Sequence, residues 1–356
     1  MIRNNWHALR KTFELPRTSL GTACPYSKVN ARFRNNDTIL FPSLRSRMSV
    51  FRESLIDAYR WFTEPARRCI AHRLSASSSW PAGILFYHRV SDSVPNSWTI
   101  SNSNFVKHLD LISEIATFQS LDEVVESQRN LTRSRLSVAI TFDDGYAENL
   151  DQAIPELIRR KIPCTYFVTT DNVERQVPFK HDFDRQMPLC VNTISEVRWL
   201  AKNGIQIGGH TASHLDLGKP WGRDRLLAEI SDSRKKLQDW TGQEIAYFAF
   251  PQGFVQHMSQ AAIDMVFESG YRAFTSAYGG WNFPGGDSMH LNRIHGDCGT
   301  ASLLNWLTLD PRKIHQTRKL QYVAPKQLTE ICDLPAIPTD IFSGFASPTA
   351  LSTSPL

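Results

Sequence analysis

Leu136-Ser137-Val138-Ala139-Ile140-Thr141-Phe142-Asp143-Asp144-Gly145 is the stretch that decides how this chain is read. An apolar run of this length and β-branched content is a buried strand, and it ends on two carboxylates and a glycine. Side chains alternate along a strand, so adjacent Asp143 and Asp144 point different ways and can do different jobs. About 65 residues later comes His210-Thr211-Ala212-Ser213-His214, whose two histidines, at i and i+4, can share one metal ion. One Asp and two His make a facial ligand set that leaves positions open for water and substrate. The other Asp is then spare for general-base work, which is the equipment of metal-assisted hydrolysis.

Outward from this stretch, apolar runs at 83–88, 164–169, 205–208, 245–250 and 271–275 read as further buried strands. Helical periodicity falls near 103–115, 147–160, 195–203, 222–240 and 257–269. Such alternation predicts an α/β fold with a parallel sheet, and by itself leaves an open sheet and a barrel equally open.

The paired motifs resemble the first two motifs of the polysaccharide deacetylases, carbohydrate esterase family 4, whose catalytic part is the NodB-homology domain. Ile84-Leu85-Phe86-Tyr87-His88-Arg89-Val90 is similar to the entry strand of many members. Pro163-Cys164-Thr165-Tyr166-Phe167-Val168 resembles the second core strand, and Phe248-Ala249-Phe250-Pro251-Gln252-Gly253 a variant of the third motif. The resemblance spans roughly 80–308. It implies a distorted (β/α) barrel, with Asp144, His210 and His214 as the ligands of a divalent metal, zinc foremost, and Asp143 as the general base. It also implies that the backbone N–H of Gln252 faces the oxyanion. The activity implied is removal of N-acetyl groups from a carbohydrate polymer or glycan. O-acetyl esterase action, deformylation of an amino-sugar lipid precursor and a catalytically silent carbohydrate-binding domain are the alternatives.

Two departures from the family pattern leave roles to fill. Ala249 stands where the third motif carries an arginine that pairs with the base, and Arg293 is the candidate replacement. The closing Leu-x-His is missing, so His295 is the candidate acid and His88 its rival, an ordinary structural histidine being the plain alternative. Trp281, among glycines, is a candidate platform for a sugar face.

The chain divides into a basic, irregular leader at 1–47, an amphipathic helical extension and linker at 48–79, a catalytic domain at 80–310 and an irregular tail at 311–356. The leader carries nine Lys/Arg against two acids, which accounts for more than the whole formal net charge of +5. It lacks interleaved aromatic pairs or a recognition motif, so no nucleic-acid partner is expected. Met48 is an alternative start. The extension either packs on the catalytic domain or, at 48–75, touches a membrane surface. The first 30 residues show no apolar h-region, and no window approaches a spanning helix. The six cysteines are scattered without a C-x-x-C pair, so a disulfide framework is not expected. Together these point weakly to a cytoplasmic or membrane-peripheral protein.

Overall fold

The computed structural model describes residues 51–130, 132–314 and 320–324, together with the helical backbone of 42–50. Eight strands build the main sheet: β1 (Ala82–Tyr87), β2 (Ser137–Phe142), β3 (Cys164–Val168), β4 (Gln206–Gly209), β5 (Tyr247–Ala249), β6 (Ala273–Thr275), β7 (His290–Leu291) and β8 (Ile294–His295). Their spatial order is β7-β6-β5-β4-β3-β2-β1-β8, every pairing is parallel, and a short strand, Thr117–Phe118, pairs with the start of β2. The sheet curls into a half-barrel with helices outside, which is the distorted (β/α) barrel expected from the sequence.

Alternation explains which residues end up where. On β1, Leu85 and Tyr87 join the larger core under the helices, while Ala82 and Ile84 join a smaller inner cluster. On β2, Val138, Ile140 and Phe142 face the helices and Ala139 faces inward. Continuing that period, Thr141 and Asp143 point into the half-barrel and Asp144 does not. The inner space is tight: a Cβ on Gly208 would lie 2.4 Å from the Phe167 ring, so only glycine fits there.

The sequence missed the helix Leu121–Arg129 and the two short strands β7 and β8. The helix is nevertheless announced by a capping box, Ser120 with Glu123. The stretch expected as one helix at 147–160 is a 3₁₀ turn, Ala147–Leu150, followed by a helix, Ala153–Arg160.

The extension forms two helices, Pro42–Phe62 and Glu64–Ser77. The first therefore begins inside the expected leader, and the second runs into the expected linker. Pro65 sits in the opening turn of the second helix, where its missing N–H costs nothing. Ile70 and Leu74 are buried, and Arg67 donates to the Asn305 carbonyl and side chain at 3.1 and 2.6 Å. Tyr59 donates to Asp310 at 2.8 Å. These contacts fasten the extension to the domain's last helices. Among the described residues no helix is long and apolar enough to cross a membrane. Among the described residues Cys190 is disulfide-bonded, while Cys69, Cys164 and Cys298 are free. The tail from 325 onward and the leader to 41 lie outside the described residues.

Candidate active site

Beyond β2 the chain turns sharply, with Asp144 at φ 74° and Gly145 at 95°. A non-glycine residue in this region carries strain, and here it is one of four at the same place: Thr211 (63°), His214 (58°) and Gln252 (62°) are the others. Strained backbone gathered at the strand ends marks where the fold has been bent to aim particular groups.

The His210–His214 loop follows β4 and is tied down by buried Glu229, which accepts from the N–H groups of Ala212 and Ser213 at 3.0 and 2.9 Å. His210 donates its Nδ1–H to the Ala249 carbonyl at 2.7 Å, the only role open to a ring nitrogen facing a carbonyl. In the neutral ring this leaves the lone pair on Nε2, which faces Asp144 Oδ1 at 3.4 Å. His214 Nε2 faces the same oxygen at 3.3 Å. Burial pushes His214 down to about 4, so it too is neutral near pH 7. Asp144 Oδ1 is buried with no hydrogen-bond partner. Two ring nitrogens and a carboxylate oxygen converge on one point, an arrangement that suits a cation. The three ligand atoms lie within 4.8 Å of one another, so the donor set fits a divalent metal such as zinc.

Asp143 faces the opposite direction and meets Arg293. The pair is bidentate, Nη1 to Oδ1 at 2.6 Å and Nη2 to Oδ2 at 2.8 Å, and both side chains are buried. Arg293 also donates its Nε–H to the Ser276 carbonyl at 3.0 Å and lies over the Phe86 ring at 4.7 Å. Burial, the largest influence, would raise the Asp143 pKa; the charge and hydrogen bonds of Arg293, together with His210 and His88, outweigh it and hold the group below its usual value. Arg293 thus reaches Asp143 from the far end of the domain, while position 249 holds alanine.

His88, at the end of β1, donates Nδ1–H to Asp297 at 2.6 Å, and its backbone N–H also reaches that carboxylate at 3.2 Å. Burial disfavours a charged ring, yet the Asp297 hydrogen bond and charge prevail and carry His88 up to about 9. His295 is shifted the other way, downward, chiefly by burial. The two candidate acids therefore differ: one is held charged and the other neutral. Asp297 itself was not singled out from sequence, because its partner lies 209 positions away.

These groups line one pocket of about 230 Å³, with Asp143, His210, His214, Gln252, Arg293 and His295 on its walls beside His88. The Gln252 backbone N–H makes no hydrogen bond among the described residues, so it is available to a ligand. Trp281 is a correction. It is 1% exposed, rests on Gly83 where a Cβ would lie 2.8 Å from its ring, and meets Trp306 edge-on at 5.9 Å. A ring enclosed in this way has no face left for a sugar. The exposed aromatic on the pocket rim is Phe254, next but one after Gln252, which the sequence reading passed over.

Residues 130–274, which include Asp143, Asp144, His210, His214 and Gln252, match the polysaccharide deacetylase family model. This segment resembles a polysaccharide deacetylase domain. His88, Arg293, His295 and Asp297 lie beyond the matched span and enter the site only through the fold. A Bacillus subtilis (strain 168) protein, YxkH, named for polysaccharide deacetylation, is 28% identical over 174 residues, 48% of this chain and 56% of its own length. The peptidoglycan-N-acetylglucosamine deacetylase of Bacillus cereus is 27% identical over 136 residues, 38% of this chain and 54% of its own length. The chain thus spans about half the length of these relatives. The Streptococcus pyogenes deacetylase PplD, solved with acetate, superposes with a TM-score of 0.54 at 20% identity, over 65% of this chain and 99% of that one. At that identity the likeness is one of fold.

Proposed function

We propose that the chain is a metal-dependent hydrolase that removes N-acetyl groups from amino-sugar residues of a polysaccharide or glycan. The observation that carries this reading is the Asp143–Arg293 pair set beside the Asp144, His210 and His214 cluster in one pocket. The name of the Bacillus cereus relative supports the amino-sugar substrate.

Asp144, His210 and His214 would hold the metal, which when bound polarises an amide carbonyl and makes water a better nucleophile. Asp143 then accepts the proton of the attacking water. Arg293 keeps it ionised and fixes its orientation, so the base is ready before substrate arrives. The free N–H of Gln252 faces the charge that develops on the carbonyl oxygen. His88, held by Asp297, gives its proton to the departing nitrogen. We assign this role to His88 rather than to His295, because a charged ring aimed by a buried carboxylate is a donor and a neutral exposed one is not.

That assignment also favours N-deacetylation over O-deacetylation, since an amine departs only when protonated and an alkoxide needs less help. It speaks against a silent binding domain as well, because the arginine lost at 249 has been replaced. The test is acetate release from N-acetylglucosamine oligomers with added zinc, beside Asp143→Asn. Release by the wild type and none by the variant is the expected result. Equal release by both would remove the assignment.

We also propose peripheral contact of the first helix with an anionic lipid surface. Its Phe51, Leu55, Trp61 and Phe62 are 54–74% exposed, and residues 42–77 carry seven arginines against three acids.

A further inference from the structure

We infer that His88, His295 and Asp297 form a second divalent-cation site in the same pocket, weaker than the first, whose occupation by zinc switches the enzyme off. The register of the sheet creates it. β1 and β8 are parallel neighbours with Phe86 opposite His295, so two residues further on His88 stands opposite Asp297. His295 and Asp297, two apart on one chain, point to the same side. One ligand atom from each of the three residues lies within 4.8 Å of the others. The His88 and His295 rings are 6.0 Å apart, and His295 is braced edge-on by Phe86 at 5.0 Å. Asp297 is fully buried, and the His295 side is open to the pocket, so the site has an anchored carboxylate and an entry path. Two imidazoles and a carboxylate are the same donors as in the first cluster, and they suit zinc.

Two features make this site the weaker one. The ion must compete with the 2.6 Å hydrogen bond that already joins His88 and Asp297. A cation already held by Asp144, His210 and His214 repels a second in the same pocket. The inhibitory consequence rests on the proposed function: a His88 that ligates zinc has no proton to give a leaving amine.

The experiment is equilibrium dialysis of the full chain against zinc, with acetate release measured on the same samples. The wild type is expected to bind a tight equivalent and then a weaker one, with at least a tenfold loss of rate as the second enters. His295→Ala changes an exposed side chain and should retain the tight equivalent while losing the weak one. Its rate, relative to its own maximum, should then resist excess zinc. His214→Ala should do the reverse, losing the tight equivalent and keeping the weak one. A wild type that takes up one equivalent only, or a His295→Ala variant that titrates like the wild type, overturns the site. A second equivalent that enters without inhibition leaves the site standing and overturns the role given to His88.

Discussion

Replacing Arg293 by methionine removes the partner of a buried carboxylate and nothing that touches solvent. Both members of the pair are almost wholly inaccessible, so the loss is not softened by screening. Breaking a buried ion pair from one side costs about 3–5 kcal/mol, because the remaining charge is left uncompensated. A domain of this size shifts by roughly 2–4 °C in Tm per kcal/mol, so a fall of about 6–20 °C is expected. Total stabilities of about 5–15 kcal/mol leave the variant folded at room temperature. The sign with pH follows from Asp143, whose folded pKa is depressed. Its contribution is present above the unfolded pKa and is lost as pH falls through the folded one. In Arg293→Met, burial is opposed only by the more weakly acting His210 and His88, so that pKa rises and the gap between variant and wild type narrows on acidification. Urea denaturation of wild type, Arg293→Met, Asp143→Asn and the double variant, all in chelator, closes the cycle. The double variant should be more stable than Arg293→Met, since it leaves no charge buried alone. An Arg293→Met protein within about 1 kcal/mol of wild type, or additive single effects, would refute the view of this pair as a buried, coupled unit.

Trp281→Ala should cost about 3–5 kcal/mol by opening a cavity, with KM for oligomers unchanged; a raised KM with stability intact would return Trp281 to the substrate. Activity should decline at alkaline pH as His88 loses its proton, from about 9 or lower with a dication bound, and Asp297→Asn should move that limb further down. Superimposable alkaline limbs in a pH–rate profile would exclude His88 as the group that titrates there. The acid limb, set by Asp143, should lie below the usual carboxylate range. Phe51→Asp with Phe62→Asp should abolish sedimentation with phosphatidylserine vesicles while acetate release in solution persists; undiminished sedimentation would locate lipid contact elsewhere.

The motifs around Asp143 and His210 were legible because their chemistry is local: the carboxylates close an apolar strand and the histidines share one short loop. Arg293 was only a candidate, raised because the resemblance puts an arginine where this chain has Ala249, and nothing local distinguished that pairing from a surface ion pair. What could not be read was anything set by strand register. Nothing near His88 announces Asp297, and the choice between two histidines hangs on that carboxylate. Trp281 was misread for a related reason. Flanking glycines fit loop packing and a sugar platform alike, whereas the deciding glycine is Gly83, on a strand about two hundred residues earlier, which leaves room for the ring. The two-residue strands β7 and β8 are too short to give any periodicity.

The placement of β1 between β2 and β8 means that the first and last strands of the domain are neighbours. During synthesis, the residues that match the family model leave the ribosome with Asp143 still lacking Arg293 and His88 still lacking Asp297. A nascent chain therefore presents Asp144, His210 and His214 well before Asp143 and His88 can meet their partners. These contacts form only when the final strand docks against the first, so under the proposed function activity would certify that translation has been completed through residue 297.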